Sequence, residues 1–348
     1  MTAVRRNALF ALLLGSSAFV AVSAGAEELT VVDYGGQSHE AYHNAIFGPF
    51  AEANGVALTE DSYNGEVGPV KAQVDSGNVT WDVVATDSGE ATTLCDDGTI
   101  MALDYSKIAD KSTFTGNGAH KCGVASMVYS TLFAYDGSKV SKAPSTWAEF
   151  WDTKNFPGPR AMRKYVVGNL EFALMADGVP AAEVYNVLRT PEGVDRAFAK
   201  LDEIKPSVKV WWSAGAQSPQ LLADGEVTYA TGYSNRFVAA NRNNGQDFKL
   251  SWDGNLADYE YLVIVSGSKH VETAEKLLAF ASTAKAQAAM ANGGNVGPAV
   301  KEAVALVDPN LAKDIPTSNL DKSLVLDTDF WADNLEDLNA RFVTWLSQ

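Results

Sequence analysis

Short apolar runs alternate with helically spaced apolar residues in the first third of the chain and predict a parallel β-α-β-α-β unit. The predicted strands cover residues 28–34, 56–58 and 81–85, and the predicted helices cover 38–54 and 67–76. Polar residues or glycines follow each of these strands. That order of elements indicates a parallel sheet with helices on its faces.

A second alternating series begins after a long β-rich run at residues 124–135. Its predicted helices cover 169–176, 180–189, 193–204 and 218–223, and its predicted strands cover 208–212 and 227–230. Another extended run at 259–265 precedes a helical stretch at 273–290 and a helical tail at 327–346. The pattern predicts two α/β units joined by extended segments rather than one long sheet.

Polar and aromatic side chains gather between residues 229 and 265, where one predicted strand ends and another begins. Tyr233 and Arg236 follow one apolar run, and Asp258 and Glu260 open the next. Open α/β sheets bind ligands at strand ends. We therefore expect this stretch to form half of a small-molecule pocket.

The N-terminus has the three parts of a secretory signal peptide. Arg5 and Arg6 precede an apolar run at 8–22, which ends in the small residues Ala24-Gly25-Ala26. This pattern predicts cleavage after Ala26, so that residues 1–26 are removed and the mature protein is exported. A retained membrane anchor is the alternative, although the run is short for a membrane span.

The charge of the chain excludes one class of partner. The 348 residues carry a formal net charge of −16, and their basic residues form no block. Nucleic-acid binding is therefore not expected, because phosphate recognition requires clustered Lys and Arg. The negative charge either serves solubility or favours a cationic ligand.

The two cysteines, Cys95 and Cys122, predict a structural disulfide, because an even pair in an exported protein is typically oxidised. Two cysteines do not supply the four ligands of a closed zinc site. The sequence predicts neither a metal nor a cofactor.

One enzymatic motif keeps an alternative function open. The run His39-Glu40-Ala41-Tyr42-His43 fits the H-E-x-x-H pattern of zinc metalloproteases, and a secreted zinc hydrolase using His39 and His43 is therefore considered. No third ligand is evident, and the chain has no dinucleotide, P-loop or nucleophile-elbow motif. We expect a binding protein without catalytic residues.

Several motifs, in their order and spacing, resemble those of a known family over nearly the whole mature chain. They are Tyr34-Gly35-Gly36, Trp81-Asp82-Val83-Val84, Pro144-Ser145-Thr146-Trp147 and Tyr233-Ser234-Asn235-Arg236. They look like those of the periplasmic solute-binding proteins of ABC importers, and most of all like those of the spermidine/putrescine-binding group. The resemblance implies a type II periplasmic binding protein fold: two α/β lobes joined by a crossing-strand hinge, with the ligand cleft between them.

The resemblance also implies lobe boundaries and partners. Lobe 1 is expected to comprise residues 27–134 and 260–303, and lobe 2 residues 135–259 and 304–348. The strands at 124–135 and 259–265 would cross between them. The expected partners are a small amine-bearing ligand and the membrane permease subunits of an ABC importer, and monomers are usual in the family.

The family's binding positions carry over onto strand ends of this chain. Tyr34 is similar in position to the aromatic residue of the family's first strand. Tyr233 is similar in position to the aromatic residue that stacks on the ligand in the family's second lobe. Glu260 falls where a carboxylate pairs with an amine, and Asp258 falls where an aromatic often sits. The small polar residues after the third strand correspond to Thr86, Asp87 and Ser88.

Charges of both signs narrow the expected ligand. The second-lobe acids of polyamine binders have no counterpart here, and Arg163 lies in that neighbourhood. A buried ammonium needs a carboxylate and aromatic faces, which Glu260 can supply with its neighbouring tyrosines. Arg236 suits a carboxylate, which it can grip with two hydrogen bonds. Trp212 is expected to add an aromatic face. A zwitterion such as an ω-amino acid fits this set, and a polyamine stays the alternative.

Overall fold

The computed structural model describes residues 27–140 and 142–348; the predicted signal peptide lies outside the described residues. The strands are β1 (Glu28–Asp33), β2 (Ala57–Ser62), β3 (Val83–Asp87), β4 (Ala119–His120), β5 (Gly123–Asp136), β6 (Arg160–Arg163), β7 (Val208–Trp212), β8 (Tyr229–Tyr233), β9 (Phe248–Ile264) and β10 (Ser323–Val325). The first three confirm the predicted parallel unit, since β1 pairs in parallel with both β2 and β3.

Helices cover both faces of the sheet, and none within the described ranges is long and apolar enough to cross a membrane. They are α1 (Gly36–Tyr42), α2 (Gly48–Asn54), α3 (Val67–Ser76), α4 (Ser88–Asp96), α5 (Trp147–Trp151), α6 (Val166–Ala176), α7 (Val184–Leu188), α8 (Pro191–Ile204), α9 (Gln217–Ala223), α10 (Ser234–Asn244), α11 (Val271–Ala281), α12 (Ala284–Gly294) and α13 (Thr328–Ser347). A π-helical turn at His43–Phe47 joins α1 to α2.

The sheet is continuous through both halves of the molecule, so the expectation of two separate sheets is wrong. Its strand order is β2-β1-β3-β9-β5-β8-β6-β7. The long antiparallel strands β5 and β9 pair along most of their lengths. At one end β9 pairs with β3, and at the other end β5 pairs with β8. These two strands therefore belong to both lobes, as a crossing-strand hinge requires.

Each half of the sheet has a hydrophobic core of its own. One core surrounds β1, β3 and the near ends of β5 and β9, with Val32, Val84 and Ile46 fully buried. The other packs α6 and α8 against the second half, with Phe172 and Leu201 in its centre. Separate cores let the halves move as units about the shared strands. The lobe boundaries given above stay a prediction.

The carboxyl ends of the short parallel strands place functional side chains in the cleft. Strands β1 and β3 end in Asp33 and Asp87, whereas β6, β7 and β8 end in Arg163, Trp212 and Tyr233. Asp87 and Tyr233 line the same cavity although they come from opposite halves of the sheet. This arrangement follows the rule that open α/β sheets bind at strand ends.

Two long-range ties fix helices to this framework. The predicted disulfide between Cys95 and Cys122 is present and joins the end of α4 to the segment before β5. The C-terminal helix α13 buries an apolar face, and its Trp331 Nε1 donates to the buried carboxylate of Glu171 at 2.8 Å. Tyr185 donates to the same carboxylate at 2.9 Å.

Arg160, at the start of β6, is a fully buried charge without a carboxylate partner among the described residues. Its guanidinium donates to the main-chain oxygens of Phe150 at 3.1 Å, of Phe156 at 2.6 Å and of Gly158. It also lies 4.9 Å from the ring centroid of Tyr229. Arg160 thereby organises the loop between α5 and β6.

Candidate functional site

A cavity of about 210 Å³ lies between the two halves of the sheet. Pockets for drug-sized ligands usually measure roughly 300–1,000 Å³, so this one suits a small solute. Both halves and the shared strands contribute side chains to it: Tyr34, Gln37, Ser38, Ala41, Asp87, Met127, Tyr129, Tyr233, Asn235, Arg236, Glu260, Met290, Gly294 and Val296.

Of the acidic residues Asp258 and Glu260 on β9, Glu260 lines the cavity and Asp258 lies outside its lining. Asp258 and Glu260 lie two residues apart and so share one face of the strand. Glu260 is buried and accepts a hydrogen bond from Tyr42 Oη at 2.5 Å. Asp258 accepts one from Tyr129 Oη at 2.7 Å, and the Tyr129 side chain itself lines the cavity.

Burial raises the pKa of these acids. It raises the pKa of Glu260 to about 8; the Tyr42 hydrogen bond opposes this shift and the charges of Asp33 and Asp258 add to it. Burial also raises the pKa of Asp258, and it raises that of Asp87 well above its usual range. A site with this concentration of acids stabilises a positive charge brought by a ligand.

The opposite wall carries a positive charge at the mouth of the cavity. Tyr233 ends β8, and Asn235 and Arg236 follow in the first turn of α10. Arg236 Nη1 donates to Gln37 Oε1 on α1 at 2.7 Å. This hydrogen bond joins α10 to α1 at the cavity.

The structure brings five of the predicted site residues together at one cavity, from three different parts of the chain: Tyr34, Asp87, Tyr233, Arg236 and Glu260. Strand pairing explains part of this, because Asp87 lies directly opposite Glu260 in the sheet. Their roles in binding stay predictions. Their convergence makes this cavity the candidate site.

The other predicted site residues lie behind this cavity. Thr86 is fully buried in β3, and Trp212 is buried with its ring 5.9 Å from that of Tyr233. Ser88 and Asp258 border a second cavity on the α4 side of β9. Trp212 is therefore placed to support Tyr233 rather than to face the solute. Asp258 is connected to the candidate site by the hydrogen bond that it accepts from Tyr129.

The expectation that Tyr259 and Tyr261 offer aromatic faces beside Glu260 is wrong. Side chains alternate along a strand, so both tyrosines point to the face opposite Glu260. They stack with ring centroids 6.2 Å apart and border the second cavity. The aromatic walls of the candidate site are instead supplied by Tyr34, Tyr129 and Tyr233.

Sequence reasoning missed two groups of lining residues. Tyr129 and Met127 have a signal in the sequence, because their two-residue spacing in a long strand gives them a common face. Met290, Gly294 and Val296 follow no local pattern of a binding site. They reach the cavity only because α12 packs against α1 and the π-helical turn.

The two histidines of the H-E-x-x-H motif are hydrogen-bonded to different carboxylates. His39 Nδ1 lies 2.9 Å from Asp33, and the hydrogen bond raises the pKa of His39. His43 Nδ1 lies 2.8 Å from Glu60. Within residues 27–140 and 142–348 no three His, Cys, Asp or Glu side chains form a group able to hold a metal ion. The arrangement gives the hydrolase alternative no support.

Comparison with known proteins identifies the family. Residues 45–317 match the bacterial extracellular solute-binding proteins, and the chain belongs to that family. It is 41% identical over 338 residues to the gamma-aminobutyric acid-binding protein of Pseudomonas aeruginosa, with 97% of this chain and 96% of that protein covered.

Solved structures agree with this assignment. A GABA receptor superposes with a TM-score of 0.84 at 33% identity, covering 92% of this chain and 98% of that one. An ABC transporter substrate-binding protein from Bradyrhizobium japonicum has a TM-score of 0.84 at 34% identity, covering 92% and 99%. These likenesses confirm the predicted type II periplasmic binding protein fold.

Proposed function

We propose that this protein captures γ-aminobutyric acid (GABA), or a closely similar ω-amino acid, and delivers it to an ABC importer. The observation that carries the proposal is a small cavity that Asp87 and Glu260 line together with Arg236. A zwitterion would place its ammonium group against the acids and its carboxylate against Arg236. The relatives' recognition of GABA supports the same ligand class.

The ammonium group of such a ligand would lie against Glu260 and Asp87. The rings of Tyr34 and Tyr129 line the same part of the site and can receive a cation on their faces. The ligand's carboxylate would meet the Arg236 guanidinium, whose fork matches a carboxylate. Met127 and Met290 provide adaptable apolar surface for the methylene chain between the two charges.

The polyamine alternative fits this cavity less well. A second ammonium at the far end of the ligand would face Arg236, and like charges in a site of low dielectric repel strongly. A zwitterion of the same length turns that repulsion into attraction. The two ends of the cavity therefore favour an ω-amino acid over a diamine.

The proposal includes the setting in which this protein acts. Cleavage of the signal peptide after Ala26 would release the mature protein into the periplasm. There a monomer without enzymatic activity would present its ligand to the permease subunits. The contacts of GABA with both lobes would favour the closed form that the transporter engages.

Calorimetry and thermal shift with a ligand panel test this function. We expect GABA to bind most tightly, with weaker binding of shorter and longer ω-amino acids, and of 1,4-diaminobutane. The bound ligand should raise the melting temperature and be recovered chemically unchanged. A protein that binds diamines or α-amino acids in preference to GABA would contradict the proposal.

GABA affinity is expected to rise with pH because Glu260 holds a proton in the empty site. With its pKa at about 8, Glu260 must release that proton before it pairs with an ammonium. Affinity should therefore increase up to about tenfold per pH unit between pH 6 and 8, and level off above that range. Calorimetry in two buffers of different ionisation enthalpy measures the released proton.

The Glu260→Gln variant is the matched control for this pH dependence. It keeps the shape of the side chain and removes the titrating group, so its weaker binding should change less with pH. Unchanged amine affinity in this variant, or binding of GABA to the native protein without proton release, would contradict the assignment of Glu260 as the ammonium partner.

A further inference from the structure

Arg163 is a cation at the edge of the site for which the proposed function has no role. It ends β6, two strands from β5. Its guanidinium carbon lies 4.6 Å from the ring centroid of Tyr165, 5.4 Å from Tyr233 and 5.9 Å from Trp212. Across residues 27–140 and 142–348 its guanidinium has no carboxylate at ion-pair distance. Three aromatic faces hold it in place instead.

Two acids lie at the end of β3, in the other half of the sheet from Arg163. Asp87 lines the cavity at the end of β3, and Glu90 follows it in the first turn of α4. Burial raises the pKa of both carboxyl groups, and the charge of Arg163 opposes that shift in each case. Arg163 packs against Tyr233, which lines the same cavity as Asp87, so its positive charge lies beside the acidic wall without forming an ion pair with it.

We propose that Arg163 is a selectivity residue that offsets the negative charge of Asp87 and Glu90, so that the cavity accepts one ammonium group and rejects a second. The inference rests on the proposed function in that the accepted ligand carries a single ammonium. It adds a residue outside the cavity lining to those that determine specificity.

Charge counting around the cavity explains the effect. Without Arg163, the acids Asp87, Glu90, Asp258 and Glu260 would suit a second ammonium group beside Tyr233, on the side of the ring where Arg163 lies. Arg163 offsets part of that charge and also repels a second ammonium placed beside Tyr233.

The test compares butylamine with 1,4-diaminobutane, which differ by one ammonium group and both lack a carboxylate. In the Arg163→Gln variant, the affinity for the diamine relative to the monoamine should increase about tenfold or more over the native ratio. Arg163→Lys keeps the charge and should keep the native ratio. Calorimetry on all three proteins measures the dissociation constants of both ligands and hence their ratio.

A second substitution separates charge from packing. Glu90→Gln removes one of the acids that Arg163 offsets, so the double variant Arg163→Gln/Glu90→Gln should return toward the native ratio. If Arg163 only supported Tyr233, the Arg163→Gln variant would lose affinity for both amines equally. Adding Glu90→Gln would then not restore that affinity. That result, or an Arg163→Lys variant that behaves like Arg163→Gln, would overturn the inference. Should the glutamine variant not fold, the lysine and Glu90→Gln variants still decide it, since Glu90→Gln alone should lower the relative affinity for the diamine.

The outcome for GABA stays distinguishable from the outcome for Arg163. If the native protein binds no GABA, the proposed function fails, whereas the ratio of the two amines still reports on Arg163. If the native protein binds GABA and Arg163→Gln leaves the ratio unchanged, only the selectivity role fails.

Discussion

Replacement of Arg236 by alanine is expected to weaken GABA binding about a hundredfold and to change butylamine binding no more than about threefold. The guanidinium is the positive group at the mouth of the cavity, so its loss leaves the ligand's carboxylate without a partner. Butylamine has no carboxylate and loses only the contribution of Arg236 to closure through Gln37. Dissociation constants of both ligands measure the difference.

Two controls sharpen this experiment. Arg236→Lys keeps the charge but not the two-pronged geometry, and it should lie between the native protein and the alanine variant. Arg196→Ala removes an exposed arginine that pairs with Asp177 and should leave both affinities unchanged. An equal loss for GABA and butylamine would show that Arg236 acts on closure alone, contrary to its assignment as the carboxylate partner.

Replacement of Arg160 by methionine is expected to lower the free energy of unfolding by about 3 kcal/mol. Methionine fills much of the same volume but leaves the main-chain oxygens of Phe150, Phe156 and Gly158 buried without a donor. Each unsatisfied acceptor costs about 1–3 kcal/mol, partly offset because the buried charge no longer has to be desolvated. Urea unfolding followed by tryptophan fluorescence measures the change.

Arg196→Met is the matched control for this prediction, because the same substitution at an exposed position should change stability by less than about 0.5 kcal/mol. GABA affinity should stay near the native value in both variants at temperatures where they are folded. A loss of stability below about 1 kcal/mol in Arg160→Met would mean that the three carbonyl groups find other donors.

Much of the fold and part of the site could be predicted from local pattern. The order of strands and helices in the first lobe follows from periodicity, and α3 and β7 have the predicted bounds. Tyr34, Asp87 and Tyr233 were identifiable as site residues because each lies at or next to a strand end. Polar residues that follow an apolar run at the end of a strand indicate a ligand site, because open α/β sheets bind ligands there.

The length of β9 could not be read from its sequence. The Asp253-Gly254 pair is typical of a turn, but it lies within a single strand of 17 residues. The register on β5 jumps there, from Thr131 opposite Leu256 to Phe133 opposite Ser251, so β9 carries a bulge. Gly254 has a φ of 66°, and its carbonyl accepts a hydrogen bond from Trp147 Nε1 at 2.8 Å. A tertiary contact thus holds a turn sequence inside a strand.

The continuous strands β5 and β9 also limit how a protein of this kind can change its ligand. Each strand runs from one half of the sheet into the other, so no single cut in the chain separates the halves. A lobe therefore cannot be exchanged between relatives as one contiguous gene segment. New ligand preferences are expected to accumulate through point substitutions at strand ends, with the shared strands inherited as a unit.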